Sequence, residues 1–347
     1  MKTFEQLQQK LSSIPATTAW YLADLGEAKG KQELFTKQSP QKLKVLKEHA
    51  LIESAVSSNR IEGIEINESR IATVIFGQSL LQDRDEEEIR GYRDALKLIH
   101  DKSNKLPLTE KTIKEIHYLT RAKVGDAGEY KERESNIIEK YPDGRQRIRF
   151  QTVSVADTAN YLSKTIELWH QSLKEHWVHP LIALAAFNLD FLCIHPFRDG
   201  NGRVSRLLLL LQCYQLGYEV GRYISIERLI EQNKERYYET LYLSSQSWHE
   251  GKADIWPFTN YLLYILKLAY QEFEKRINQT SSPKGSKRSL VESTIESYSD
   301  NFTLVELERA CPGVSRDMIR TVLKSLRKAG KIECLGLGPN ATWQKRG

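Results

Sequence analysis

The dodecapeptide HPFRDGNGRVSR, residues 195–206, lies between two of the most apolar stretches of the chain, LIALAAFNLDFLCI before it and LLLLLQCYQLGY after it. Stretches of that kind belong in a core, so the fold must bury both. Where they meet it must also place a histidine, an aspartate, an asparagine, two glycines and three arginines. Pro196 ends the first stretch as a helix, because the residue before a proline is pushed out of helical geometry. A turn through Arg198 to Asn201 follows. Gly200 and Gly202 permit conformations and close approaches that a side chain would block. The second stretch begins as a helix near Gly202, with Asn201 as its cap.

A loop that feeds a helix N-terminus presents unpaired N–H groups and the positive end of the helix dipole, and both bind anions. Arg203 and Arg206 lie three residues apart on neighbouring parts of one helix face, and guanidinium matches the geometry of phosphate oxygens. Asp199 places an oxygen ligand in a positive site; one carboxylate plus substrate phosphates is the usual way to hold Mg²⁺. His195 titrates near neutrality and can take a proton from a hydroxyl. Together these residues describe a polyphosphate cradle with a metal ligand and a general base. The chemistry they suit is attack by a hydroxyl on a nucleotide phosphorus, driven by positioning and charge stabilisation.

The 347 residues, 40 % of them hydrophobic, suffice for two or three packed domains. Periodicity predicts a mainly α protein, with helices over Lys42–Ile61, 109–122 (capped by Thr109), 157–174, 179–193, 202–216, 225–247 and 254–277. The alternating segments SNIIEKY and RQRIRFQTV predict a β-hairpin that turns at Pro142, Asp143 and Gly144. The polar stretch 278–289 reads as a linker. Beyond it, three short helices and a small hairpin follow the winged-helix pattern, with twelve Lys or Arg against seven Asp or Glu from Lys284 to Gly347. The predicted division is an N-terminal helical region (1–104), a central core (105–277), the linker and a C-terminal unit (290–347).

The net charge of +6 does not by itself imply nucleic acid. Cys193, Cys213, Cys311 and Cys334 form no CxxC pair and read as free thiols of a reducing compartment. MKTFEQLQQKLSSIP has no apolar run of the secretory kind. Asn188, Asp190, His195 and Arg206 break the longest apolar stretches, which are too short to span a membrane. The expected location is the cytoplasm.

HPFRDGNGRVSR resembles the signature of Fic domains (the Fic/Doc superfamily), H-x-F-x-D/E-G-N-G-R-x-x-R. Every defined position matches: His195, Phe197, Asp199, Gly200, Asn201, Gly202, Arg203 and Arg206. The resemblance covers roughly residues 50–275, and a winged-helix tail is a familiar companion of such domains. It implies an all-helical Fic core with a small β-hairpin flap, and protein AMPylation: transfer of AMP from ATP to a Ser, Thr or Tyr hydroxyl, with release of pyrophosphate. By carry-over, His195 is the base and Asp199 holds Mg²⁺ against the α- and β-phosphates. Asn201 and the backbone of Gly200 and Gly202 hold phosphate oxygens, Arg203 contacts the phosphates, and Arg206 grips the γ-phosphate. Phe197 anchors the loop. The hairpin corresponds to the family's flap, whose edge can add a target segment as an extra strand. NKERYYETL resembles the stretch that contacts the nucleoside, with Asn233 and Tyr237 or Tyr238 as candidates, although tyrosines at helical spacing also suit a core.

Residues 58–63, SNRIEG, resemble the family's inhibitory motif S/T-x-x-x-E-G/N. By carry-over Glu62 pairs with Arg206 and denies it to the γ-phosphate, Ser58 supports the helix end and Gly63 completes the motif. Some inhibited members also remove AMP; the sequence does not decide that. Phosphoryl transfer is one rival, but such members carry Lys where this chain has Gly202. Other donors are a second, and a winged-helix DNA-binding regulator is the rival of another class, motivated by Arg316, Arg320, Lys324, Arg327 and Lys328. The family further implies self-association.

Overall fold

The computed structural model describes residues 2–346, apart from 11–12, 39, 68–69, 77–80, 123–124, 141–143, 280–285, 299–300, 312–313, 337 and 339–340. Helices α1 (Lys2–Lys10), α2 (Ala16–Gln38), α3 (Pro40–Ile61), α4 (Ile71–Phe76), α5 (Arg84–Lys102) and α6 (Glu110–Thr120) come first. Strands β1 (Ile137–Lys140) and β2 (Gln146–Phe150) follow, then α7 (Val155–Glu175), α8 (Pro180–Ile194) and α9 (Asn201–Gln215). Helices α10 (Ile226–Gln232), α11 (Lys234–Ser245) and α12 (Trp256–Gln279) close this part.

Helix α8 is the axis. It is apolar on all sides and so has no face for water; every residue from Leu181 to Ile194 is buried. His179 caps it by accepting the Leu181 N–H, with Pro180 in the first turn. Helices α1, α7, α9, α11 and α12 surround it. The two polar residues inside α8 are satisfied. Asn188 donates to the Leu184 carbonyl at 2.9 Å and to Gln212 Oε1 at 2.8 Å, and accepts from Ser205 Oγ. Asp190 accepts the Thr3 N–H at 2.9 Å and the Trp248 indole N–H at 2.7 Å. That carboxylate faces the N-terminus of α1, where the helix dipole favours a negative charge.

Thr109 caps α6 as the sequence predicts, accepting the Thr112 N–H. The expected helix over 225–247 is two helices. Asn233, at φ −120°, ends α10, and its amide donates to the Leu229 carbonyl at 2.8 Å, a local bond that competes with continuing the helix. The hairpin pairs antiparallel, with Ile138 opposite Ile148 and an irregular step at Ile137. Of its expected turn, Pro142 and Asp143 lie outside the described residues; Gly144 has φ +84°.

The expected linker is trimmed from both sides, since α12 reaches Gln279 and α13 (Ser286–Ser297) begins three residues before 289. Then come β3 (Phe302–Thr303), α14 (Leu304–Ala310), α15 (Arg316–Lys328), β4 (Ile332–Cys334) and β5 (Thr342–Lys345). The three strands are ordered β3-β5-β4, so a strand beyond the expected hairpin is present; two residues are too few for a periodic signal. This segment has its own core, built on Val291, Phe302, Leu307, Ile319 and Leu323. All four cysteines are free thiols, as expected. Among the described residues no helix is long and apolar enough to cross a membrane.

Candidate active site

The loop between α8 and α9 is shaped by residues from four other places in the chain. His195 follows the last residue of α8 in the left-handed region, at φ 54° and ψ 61°. Gly200, at φ 81°, occupies the cap position of α9, where a Cβ would be strained. Asn201 is therefore the first helical residue rather than the expected cap. Its side chain turns back, accepting the Phe197 N–H at 3.0 Å and donating to the Phe197 carbonyl at 2.7 Å. Both polar ends of the amide bond the loop backbone.

Phe197 is fully buried and stacks on His117 of α6, centroids 3.8 Å apart. His117 Nδ1 accepts the Gly128 N–H at 2.9 Å, so Nε2 carries the proton that it donates to the Asp199 carbonyl at 3.0 Å. Burial holds that imidazole's pKa down at about 4, overcoming the Asp199 carbonyl. Arg121, one turn on, bridges Glu88 Oε1 of α5 at 2.7 Å and Asp199 Oδ2 at 2.8 Å. Asp199 Oδ1 accepts the Gly200 N–H. Burial would raise the Asp199 pKa, but Arg121, Arg203 and that N–H outweigh it and hold it below the usual carboxylate value.

Arg203 departs from its expected place. Its guanidinium is 1 % exposed, and Nη1 donates to Glu88 Oε2 at 2.5 Å and to Asn59 Oδ1 at 3.2 Å. It ties α9 to α5 and to α3, the helix that carries Ser58 and Asn59. Arg206 is where the motif predicts an anion grip. Nε donates to Ser58 Oγ at 2.8 Å, and Nη2 donates to the Ser58 carbonyl at 2.9 Å and to Glu62 Oε1 at 2.7 Å. Ser58 thus holds Arg206 rather than the helix end. Burial works against the charge on Arg206, yet Glu62 raises its pKa above the ordinary arginine value. Gly63, at φ 83°, ends α3 directly after Glu62. A Cβ on Gly202 would collide with Glu62 Oε1, so the glutamate rests against the first turn of α9. That is the anion-binding end of the helix.

One cavity of about 350 Å³ collects Glu62, His195, Arg198, Gly202 and Arg206. The hairpin adds Ile137, Arg149 and Phe150 to its walls, and α11 adds Tyr237, Tyr238 and Leu241. Asn201, Arg203 and Asn233 do not line it. Tyr237 is 3 % exposed and packs on Phe258 and Tyr261, so it serves the core as well as the wall. Burial drops the His195 pKa to about 4, and Lys131 adds to the drop. Nδ1 of His195 is buried with no acceptor in hydrogen-bond geometry, although the Leu192 carbonyl is close enough to favour a proton there.

For a metal, no cluster of three or more His, Cys, Asp or Glu forms among the described residues. Asp199 stands alone, with 60 % of its side chain exposed. A single ionised carboxylate of that kind fits Mg²⁺ held jointly with phosphates, with Arg121 competing for one of its oxygens.

The glycine loop between buried helices lies in a stretch, residues 107–213, that matches the Fic/DOC family. The chain is 26 % identical over 226 residues to the protein adenylyltransferase Fic of Drosophila grimshawi, which covers 63 % of this chain and 42 % of that protein. It is 24 % identical over 270 residues to the protein adenylyltransferase Fic of Aedes aegypti, over 75 % of this chain and 45 % of that protein. The chain therefore spans less than half of the curated relatives it matches. A Fic family protein from Desulfovibrio desulfuricans G20 superposes with a TM-score of 0.62 at 21 % identity, over 96 % of this chain and 97 % of that one. That likeness concerns the fold.

Proposed function

We propose that the chain transfers AMP from ATP to a protein hydroxyl and that Glu62 restrains it. The observation that carries this reading is the single cavity in which His195, Gly202 and Arg206 meet, with Glu62 bonded to Arg206. In the productive arrangement Arg206 exchanges Glu62 for the γ-phosphate, because one guanidinium cannot serve both anions in full. His195, neutral over the physiological range, accepts the proton of the incoming hydroxyl. The new bond forms between that oxygen and the α-phosphorus while the bond to pyrophosphate breaks. Mg²⁺, when bound at Asp199, neutralises charge on the α- and β-phosphates. The Tyr238, Leu241 and Phe150 wall of the cavity takes the nucleoside, and the hairpin edge aligns the target segment.

The test uses ATP labelled at the α- or γ-phosphate with the Glu62→Gly protein and cell lysate, His195→Ala being the control. AMP transfer predicts α-label on protein that depends on His195. Retention of γ-label instead would mean phosphoryl transfer, and no label would end the proposal.

The C-terminal segment supports a second role. Its order of helix, strand, two helices and two strands supports a winged-helix reading, and α15 exposes Arg320, Lys324, Arg327 and Lys328 opposite its buried Ile319, Val322 and Leu323. That basic face suits the phosphates of DNA. A salt-dependent gel shift of the full chain, lost in an Arg320→Ala, Lys324→Ala, Arg327→Ala protein, is expected; no shift at low salt would remove the role.

A further inference from the structure

Lys131 lies in the loop between α6 and β1 and has no place in the motif. It is 3 % exposed, yet no carboxylate among the described residues bonds to it. Its ammonium donates to Thr152 Oγ1 at 2.9 Å and to the Ile194 carbonyl at 3.2 Å, while its own backbone N–H donates to the Pro196 carbonyl at 2.9 Å. Ile194 and Pro196 are the two neighbours of His195. One residue therefore grips the chain on both sides of the imidazole, at a place where the backbone is left-handed and a non-glycine residue is strained.

A buried ammonium without a counter-ion is an unfavourable arrangement, so its persistence calls for a reason. The charged and titratable groups that face it are few. Glu134, on its own loop, is near enough to favour the charge, but its Oε1 is committed to the Val155 N–H at the start of α7. The segment after β2 offers only the Thr152 hydroxyl. The loop after α8 offers His195, whose pKa the ammonium's charge lowers, second to burial. Burial brings the Lys131 pKa down to about 8, so at neutral pH it is mostly still an ammonium.

We infer that Lys131 is a positioning residue for His195: it clamps the carbonyls on either side of the imidazole, and its ammonium bears on the ring that is to accept the proton. The second half rests on the transferase reading, and the first does not. Replacing Lys131 by Arg keeps the charge. Gln keeps a donor and removes the charge, and Met removes both.

The experiment is the titration of His195 by NMR in protein labelled at histidine, with His195→Asn used for assignment. Loss of a like charge at this distance should raise the His195 pKa by about one unit in Lys131→Gln, with Lys131→Arg close to the parent. A purely structural staple would instead lower thermal stability in Gln and Met alike and leave the titration where it was. An unmoved titration in a folded Lys131→Gln protein overturns the inference. Should every variant unfold, the unaltered protein still decides: a selectively labelled Lys131 that titrates below neutrality, and so carries no charge at pH 7, also overturns it. The imidazole titration needs no turnover. A shifted titration with no AMP transfer in any protein would sink the transferase reading and leave the clamp standing; transfer with an unshifted titration would do the reverse.

Discussion

The loop that carries His195 and the glutamate that faces it are held by very different means. Seven residues of loop, 195–201, receive Asn201 from within, His117 and Arg121 from α6, and Lys131 from the segment before β1. Most of these partners are buried, where a hydrogen bond is costly to lose. Glu62 is 32 % exposed, sits at the last turn of α3, and meets Arg206 through one bond from Oε1. An exposed carboxylate at a helix end is the kind of contact that solvent, a phosphate or a partner can replace. On the proposed reading the loop persists and the glutamate is displaced.

The largest effect that could break this comparison comes from the loop side. His195→Ala should lower transfer roughly 10²- to 10⁴-fold, the usual contribution of a general base, measured as α-label incorporation in a Glu62→Gly background. Next is Asn201→Ala, which strands the buried N–H and carbonyl of Phe197. It should cost roughly 2–4 kcal/mol of stability in denaturant unfolding, from two unsatisfied backbone groups. A loss below that range would mean the loop is not over-determined. On the other side, Glu62→Gly should raise automodification about 10- to 100-fold, the worth of one charge-assisted bond to a guanidinium, with little change in unfolding free energy. Equal labelling of mutant and parent would dissolve the distinction. Ser58→Ala should do less, because Arg206 keeps the Ser58 carbonyl.

The difference between the two regions also explains what the sequence could disclose. The motif and the inhibitory stretch are contiguous, so His195, Gly202, Arg206 and Glu62 were legible as a set before any fold was known. The supports were not. Glu88, His117, Arg121 and Lys131 sit 64 to 107 positions before His195 and meet it only because α5, α6 and the following loop pack around α9. Charged residues on helices read as solvated faces, and nothing local says that Glu88 will bind Arg121 and Arg203 as well as its neighbour Arg84. Arg203 was misplaced for the same reason: its spacing from Arg206 suggested a shared phosphate face, while the buried Glu88 draws it the other way. Asn201 was misread because a Gly-Asn pair at a helix start suits an asparagine cap, whereas the left-handed Gly200 takes that position and frees the amide for Phe197. The main helices were legible from period alone, except where Asn233 divides one.

The last effect concerns pH. His117 and His195 have folded pKa values of about 4 against 6.5 for an ordinary imidazole. Between those values the unfolded chain binds more protons, so stability is present above about pH 6.5 and declines as the pH falls toward 4. Each buried imidazole contributes on the order of 1–3 kcal/mol across that window. Glu227, raised by burial between Ser54 and Tyr92, works in the opposite sense and reduces the net slope. Thermal unfolding followed from pH 7 to 4.5 should therefore show a falling midpoint, and hydrogen exchange should show loop amides 195–203 losing protection before those of α3. Activity follows the same imidazole: kcat/KM should stay level well below pH 6 where a surface histidine would already be protonated. An acid limb at 6.5 would mean that His195 is not held neutral by its surroundings, and the contrast between a fixed loop and a removable glutamate would lose its catalytic half.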